Sequence, residues 1–174
     1  GSGVPTSTTD ILIPNSKPQF MPVISSAGAA CRNLTVSAAS AASGITSALP
    51  AASLSISGSN SLAVHGNWIN NGVFDAGTGS VHLLGAGSSS IAGSATERFY
   101  NLIINKTGSA TVTISSGIKE IAGNMSFSNG IVNQNATLRF LNGSSVSGAN
   151  DASYVVGQLV KIGTQAFTFP VGAA

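Results

Sequence analysis

Five carboxylates are the side chains of this sequence best suited to chemistry, and three of them are evenly spaced. Asp75, Glu97 and Glu120 follow one another at nearly equal intervals, whereas Asp10 and Asp151 lie far from them. A fold that repeats about every twenty residues would stack the three evenly spaced carboxylates on one face. Clustered carboxylates are what hydrolysis or elimination on a polysaccharide requires.

The local context of these carboxylates argues against catalysis. Asp75 lies in the turn-like segment FDAG, while Glu97 precedes Arg98 and Glu120 follows Lys119. A cation next to each glutamate accounts for its charge without a reaction. We therefore predict that the chain is not an enzyme and has no catalytic residue.

Metal-ligating residues are equally sparse. The two histidines, His65 and His82, have no cysteine or carboxylate beside them, which is too little for a metal site. Cys31, in the alternating segment AACRNLTV, is expected to be a buried and unreactive thiol, because Arg32 would point to the opposite face of a strand. No nucleotide-binding motif is present in the sequence. We predict no metal and no cofactor.

Composition excludes two further classes of partner. Only 7% of the residues are charged, and the seven Lys and Arg are scattered, so no basic run could follow a phosphate backbone. No apolar stretch approaches the roughly 20 residues of a membrane helix. The prediction is no nucleic acid and no membrane insertion.

Short apolar–polar alternations dominate the chain and predict its elements. Alternation over runs of about four to eight residues is typical of half-buried strands, and Gly, Asn and Ser between the runs favour turns. The runs are NLTV at 33–36, SLSI at 53–56, SLAV at 61–64, SVHLL at 80–84, TVTI at 111–114, ATLRF at 136–140 and AFTF at 166–169. The fold class is therefore all-β.

Internal repetition favours a solenoid over other all-β folds. GNWINNGVF at 66–74 recurs as GNMSFSNGIV at 123–132, and SSxxG motifs recur in the same order. Such repetition predicts a parallel β-solenoid of about eight short coils of about twenty residues. An antiparallel β-sandwich is the alternative, since it also uses short alternating strands.

The recurring motif also suggests structural roles for particular residues. Met125 stands in the second copy where Trp68 stands in the first, which favours packing over ligand binding at both positions. The pairs Asn67 with Asn124 and Asn71 with Asn129 are predicted to occupy equivalent turns and to bond the backbone of the neighbouring coil.

Two regions are expected from the distribution of proline and repeats. Residues 1–30 contain four of the six prolines and depart from the repeat, so they are predicted to be an N-terminal cap or lead-in segment. Residues 31–174 are predicted to be solenoid repeats that continue into a further module.

Several segments occur in the order seen in a known class of proteins. They are VPTSTTDILIP (4–14), CRNLTV (31–36), SLAVHGNWINNGVFDAGTGSVHLLG (61–85), FYNLIINKTG (99–108) and YVVGQLVKIGTQAFTFPVG (154–172). The chain thereby resembles the repetitive regions of large secreted and cell-surface proteins of the Bacteroidetes, many of them exported by the type IX secretion system. The resemblance implies a right-handed parallel β-helix (β-solenoid) in an extracellular, adhesin-like segment that meets the secretion machinery.

Two functions are compatible with these features. The first is a non-catalytic structural or adhesive segment, a stalk or interaction platform whose partners are surface glycans or other copies and modules of the parent protein. The second is a carbohydrate-binding or polysaccharide-degrading β-helix module. For the second, Phe99, Tyr100 and Tyr154 are the aromatic residues expected to face a ligand.

Overall fold

The computed structural model describes residues 4–16, 21–42 and 47–172, which form twenty short strands and no helix. The first three coils contain β1 (Ile11–Ile13), β2 (Val23–Ile24) and β3 (Ala29–Cys31), then β4 (Leu34–Val36), β5 (Ser53–Ile56) and β6 (Ser61–Val64), then β7 (Trp68–Asn70), β8 (Val73–Asp75) and β9 (Ser80–Gly85). The next two contain β10 (Ser89–Ala92), β11 (Glu97–Phe99) and β12 (Asn101–Lys106), then β13 (Thr111–Ile114), β14 (Ile118–Ile121) and β15 (Asn124–Asn129). The last two contain β16 (Ile131–Gln134), β17 (Thr137–Phe140) and β18 (Ser145–Ser147), then β19 (Val155–Val156) and β20 (Leu159–Lys161).

The strands stack into three faces of a parallel β-solenoid. The first face is the seven-stranded sheet β1-β4-β7-β10-β13-β16-β19, and the second is the six-stranded sheet β3-β6-β9-β12-β15-β18. The third face is divided into β2-β5-β8 and β11-β14-β17-β20. Every pairing between these strands is parallel, for instance β1 with β4, β6 with β9 and β14 with β17. The solenoid prediction is confirmed and the antiparallel sandwich is wrong.

The coil is slightly longer than predicted, so there are seven coils instead of about eight. Ile11 pairs with Leu34, and Val132 pairs with Val155 at the same interval along the chain. Leu34 pairs with Trp68, which is a longer step, because a long corner separates β4 from β5. Seven coils at a strand spacing of about 4.8 Å give a stack of about 30 Å, shorter than eight coils would give.

Alternation along each strand fills a continuous core. On the first face, Leu34, Trp68 and Ile91 occupy the same position in successive coils and are all buried. On the second face, Leu102 and Met125 do the same. Since one side chain in two points inward, each coil adds a layer of Leu, Ile, Val or Phe, and Ser, Thr and Asn point outward.

Side-chain ladders at the corners tie one coil to the next. The Oδ1 atom of Asp10 accepts a hydrogen bond from the Asn33 backbone N–H, Asn33 accepts from Asn67 at 2.7 Å, and Asn67 accepts from Ser90 at 2.9 Å. Elsewhere Asn71 accepts from the Ser94 N–H. These bonds satisfy backbone donors at the corners, where the sheet ladders are interrupted. The predicted bonding of asparagines to the backbone of the neighbouring coil is therefore confirmed for Asn67 and Asn71. The Asn124 side chain instead bonds the side chains of Ser145 and Ser147.

The predicted equivalence of the two GN motifs is wrong. Trp68 lies in β7 of the first face, whereas Met125 lies in β15 of the second, although both are fully buried. The backbone N–H of Asn124 accordingly donates to the Oδ1 atom of Asn101, at the start of the second face. The partners of Asn67 are Asn33 and Ser90, at the start of the first face. Asn129 donates to the Lys106 carbonyl at the end of that face, while Asn71 follows the first face. The GN motif thus marks a type of corner and not a position in the coil.

The described residues among the first thirty, 4–16 and 21–30, are part of the stack. β1 and β2 are the outer strands of the first and third faces, and a boundary at residue 30 falls inside β3 (Ala29–Cys31). Residues 1–3 and 17–20 of the predicted segment lie outside the described ranges. The described part of this segment therefore forms the first coil.

Candidate functional site

A break in the third face produces a groove in the middle of the stack. β8 and β11 are neighbours on this face, but they belong to separate sheets. Residues 93–96 separate β10 from β11 in coil 4, whereas only Asn71 and Gly72 separate β7 from β8 in coil 3. The longer corner shifts β11 relative to β8, so the hydrogen-bond ladder does not continue across the break. A cavity of about 330 Å³ lies there.

Both charged and aromatic side chains line this groove. Phe74 and Asp75 come from coil 3, Arg98 and Tyr100 from coil 4, and Glu120 from coil 5. Arg98 donates from Nε and Nη2 to the Glu120 Oε2 atom, at 3.2 and 3.0 Å. Asp75 accepts from the Gly77 N–H of its own turn at 3.0 Å. The groove therefore presents a half-exposed ring beside an ion pair.

The predicted stack of three carboxylates is divided between the two sides of the sheet. β11 and β14 pair in a register that places Glu97 next to Lys119 and Arg98 next to Glu120. Because Glu120 is the partner of Arg98 and not of Glu97, the two glutamates point in opposite directions. Asp75 and Glu120 line the groove, while Glu97 lies in the core.

Glu97 is the centre of a buried polar cluster beneath the third face. Its Oε1 atom accepts hydrogen bonds from Trp68 Nε1 at 2.7 Å and Asn70 Nδ2 at 2.9 Å. Its Oε2 atom lies 3.3 Å from Lys119 Nζ, and both side chains are fully buried. The Trp68 ring also packs against Phe74 and against Phe99, with centroid distances of 4.8 and 5.4 Å.

The cluster is incompletely hydrogen-bonded. Lys119 Nζ and Glu97 Oε2 are close enough for an ion pair, but neither has a hydrogen bond of acceptable geometry. Burial raises the pKa of Glu97, against the opposing effects of the Lys119 charge and the donors Asn70 and Trp68. A buried amine and a buried carboxyl that lack full sets of hydrogen-bond partners are an uncommon arrangement, since buried polar groups are normally hydrogen-bonded.

Only part of the aromatic set proposed to face a ligand is accessible. Phe99 is fully buried against Trp68, because it occupies an inward position of β11, so its assignment to the surface was wrong. Tyr100 is 37% exposed and lines the groove. Tyr154 is half-buried, and the backbone of Gly172 lies against its ring.

The remaining candidates lie apart from the groove. His82 lies in β9 beside Ala63 and Ile103, and burial lowers its pKa, while His65 follows β6. Among the described residues no three metal-ligating side chains come together. Cys31 is completely buried, and burial raises its pKa to about 11, which disfavours the reactive thiolate.

Sequence reasoning missed the buried cluster. Asn70, Glu97 and Lys119 lie in three different coils and in two faces. A signal was available in the alternation of the two strands. Glu97 is two residues from the inward Phe99, and Lys119 is two residues from the inward Ile121, so both charged side chains point into the core. A charge in phase with the core indicates a buried partner.

Comparisons of the chain with protein-family models, with curated proteins and with solved structures found no match. In the described ranges there is also no helix with the length and hydropathy needed to span a bilayer.

Proposed function

We propose that this β-solenoid is a non-catalytic structural or adhesive segment of a secreted bacterial cell-surface protein, where it acts as a stalk or interaction platform. The observation that carries the proposal is the distribution of exposed apolar side chains, most of which lie in the first and last coils. They include Leu12, Val23, Val156, Val160, Ile162, Phe169 and Val171, whereas Val73 and Tyr100 are the examples from the middle. Such end surfaces are suited to contact with neighbouring modules.

The two ends share a second property. In the described part of the chain, the outer strands β1, β2 and β3 at one end, and β18 and β20 at the other, have a strand partner on one side only, while Val155 of the outer strand β19 also donates its backbone N–H to the Pro170 carbonyl. A cavity of about 200 Å³ also opens into the first coil, where Ile11, Val23 and Leu62 line it. Unpaired strand edges beside apolar surface are templates for a further strand. Other copies or modules of the parent protein are therefore the partners we propose.

The charges support a role without catalysis. Asp10 is paired with Arg32, Glu97 with Lys119, and Glu120 with Arg98. Arg139 approaches the second oxygen of Glu120 at 3.8 Å. A carboxylate held by two guanidinium groups is poorly placed to accept or deliver a proton during hydrolysis. Extracellular placement and export by the type IX machinery are proposed from the resemblance to Bacteroidetes surface proteins.

Lysine substitutions at one end of the solenoid test this proposal. We expect the native chain to self-associate as its concentration rises in sedimentation velocity, and the double variant Val156→Lys, Val160→Lys to remain monomeric, because a charge on an edge strand opposes strand pairing. Val73→Lys is the matched control, since Val73 is 53% exposed and Val156 and Val160 are 46% and 43% exposed. Equal association of all three proteins, or none in the native chain, would contradict the role of the ends.

The groove supports a second candidate function, the binding of a glycan. A half-exposed tyrosine beside Arg98 and Glu120 offers an apolar ring face and charged hydrogen-bonding groups, the combination that sugar hydroxyls and ring faces use. The same groove holds Asp75, so polysaccharide degradation belongs to this alternative and not to our first proposal.

A glycan array followed by calorimetry separates the two candidates. If the groove binds a glycan, Tyr100→Ala should weaken binding by at least about fivefold, because a stacked ring contributes on the order of 1 kcal/mol or more. Tyr154→Ala, a tyrosine outside the groove, should leave the affinity unchanged. Flat responses over the array exclude the second candidate, and release of sugar products from any polysaccharide would overturn the assignment as non-catalytic.

A further inference from the structure

Three buried side chains from different coils have the arrangement of a nucleophile, a proton carrier and an electrophile. Lys119 supplies an amine that is fully buried, and Asn70, which is 1% exposed, supplies a carboxamide. One carboxyl group, that of Glu97, joins them: Oε2 lies 3.3 Å from Lys119 Nζ and Oε1 lies 2.9 Å from Asn70 Nδ2. Neither the proposed stalk nor the groove makes use of these groups.

We propose that Lys119 and Asn70 form an intramolecular isopeptide bond, with Glu97 carrying the proton. In this step the lone pair of the neutral amine attacks Cγ of Asn70, and the bond between Nζ and Cγ forms. The neutral carboxyl of Glu97 gives its proton to Nδ2 and takes one proton from Nζ, so it ends in the protonation state in which it began. The bond between Cγ and Nδ2 then breaks and one molecule of ammonia leaves, so the reaction requires no oxidant, reductant or cofactor.

The surroundings of the three residues favour each part of this step. Lys119 Nζ has no hydrogen bond of acceptable geometry, and the group beside it is the Glu97 carboxyl, whose Oε2 atom lies 3.3 Å away. Proton transfer within the pair gives a neutral amine and a neutral carboxyl, and burial raises the pKa of Glu97 in the same direction. Trp68 Nε1 also donates to Oε1, which fixes the carboxyl against the indole ring.

The carbonyl oxygen of Asn70 has its own donor. The backbone N–H of Gly72 donates to Asn70 Oδ1 at 2.9 Å. Negative charge develops on this oxygen when the amine adds to Cγ, so a fixed N–H there stabilises the tetrahedral intermediate. Gly72 lies in a crowded corner, where a Cβ would be 2.3 Å from the Ala52 carbonyl oxygen, so this corner has little freedom to move.

Rearrangement of one side chain completes the geometry. Lys119 has four rotatable bonds in its stem, and its amine has to pass from Oε2 of Glu97 to the Cγ atom beyond Oε1. Reaction in a buried site gains from the restriction of both partners, because the groups are held together at high effective concentration. The product would covalently join β7 of coil 3 to β14 of coil 5, across coil 4.

Mass spectrometry of the purified chain tests the proposal. The intact mass should be lower than that of the sequence by one ammonia molecule, and trypsin should no longer cleave after Lys119. The peptide 33–98, which contains Asn70, should then be found joined to 107–139. An intact mass equal to that of the sequence, with normal cleavage after Lys119, overturns the proposal.

Two further outcomes are informative. Loss of ammonia with 33–98 and 107–119 recovered as separate peptides would indicate a succinimide at an Asn–Gly pair such as Asn71–Gly72, and would also overturn it. Hydroxylamine distinguishes the two products, because it opens a succinimide and leaves an isopeptide bond intact.

A substitution of Glu97 tests its proposed role as the proton carrier. Glu97→Gln keeps the shape of the side chain but cannot carry the proton, so it should retain the full mass of its sequence. Lys106→Met is the control, because Lys106 is equally buried but its amine donates to the Leu84 backbone carbonyl and not to a carboxyl group, so the ammonia loss should persist. If Glu97→Gln still loses ammonia and joins the two peptides, the proposed proton carrier is wrong. If it fails to fold, the native mass and peptide map decide the matter by themselves.

Discussion

Trp68 combines an apolar ring and a polar atom in the same buried position. The ring packs edge-on against Phe74 and close to Phe99, and the indole Nε1 donates to Glu97. Tryptophan is suited to such a position because a buried indole requires both apolar contact and one acceptor. The position is therefore sensitive to loss of either property, and the two can be measured separately.

Two substitutions of Trp68 should reduce the stability of the fold by different amounts. Trp68→Ala removes ring and hydrogen bond and should lower the free energy of unfolding by about 3–5 kcal/mol. Trp68→Phe keeps most of the packing but leaves Glu97 Oε1 with one donor fewer, and should cost about 1–3 kcal/mol. Urea unfolding followed by far-UV circular dichroism measures both. Unchanged stability of Trp68→Ala would disprove the packing role, and unchanged stability of Trp68→Phe would disprove the contribution of the indole hydrogen bond.

At the scale of the element, the strands are short and the corners define them. Between β10 and β11 the chain turns at Gly93, where φ is +120°, and an added Cβ would lie 1.8 Å from the Asn70 backbone oxygen. The corner can be this close to coil 3 only because glycine has no side chain. Gly93 thereby positions β11, and with it Glu97, relative to Asn70.

Gly93→Ala should accordingly be strongly destabilising. A strained φ alone costs about 1–3 kcal/mol, and the overlap with Asn70 adds to that figure. Gly87→Ala is the matched control, since Gly87 has open space around its Cα and does not have a positive φ; its effect should stay within about 0.5 kcal/mol. Fluorescence of Trp68, the only tryptophan in the chain, provides the unfolding signal. Similar stabilities for the two variants would contradict this account of the corner.

The positions of the strands could be predicted from the sequence better than the pairing of strands between coils. The runs SLSI and SLAV alternate strictly, and they form β5 and β6. Alternation is a local property, since successive side chains of a strand point to opposite faces. The matching of GNWINNGVF with GNMSFSNGIV failed because the same corner chemistry serves the first face in coil 3 and the second face in coil 5. The similar residues of the two segments form similar turns, but these turns occupy different positions in the coil.

At the scale of the whole molecule, stability should increase from the ends to the middle. In the six-stranded sheet, β9 and β12 have a partner on each side, whereas β3 and β18 have one partner among the described strands. A solenoid is stabilised mainly by contacts between adjacent coils, so its terminal coils open first.

Hydrogen exchange measured by mass spectrometry tests this gradient. Amides of β12 should exchange more slowly than those of β3 and β18 by at least about tenfold, which corresponds to about 1.4 kcal/mol of opening free energy. Peptides from β9 should resemble those of β12. Uniform protection along the sheet would indicate a single cooperative unit, and would rule out the expected fraying of the end coils.

The sequence by itself determined the class of the fold and the character of its surface. Local alternation, frequent Gly and Asn, and 7% charged residues are sufficient to specify short strands, tight corners and a neutral outer surface. The tertiary structure decided which residues meet. The register of β11 against β14 places Glu97 beside Lys119 in the core and Glu120 beside Arg98 in the groove. Because a shift of one position reverses the direction of every side chain in a strand, the register alone turned an expected row of carboxylates into a buried cluster and a surface ion pair.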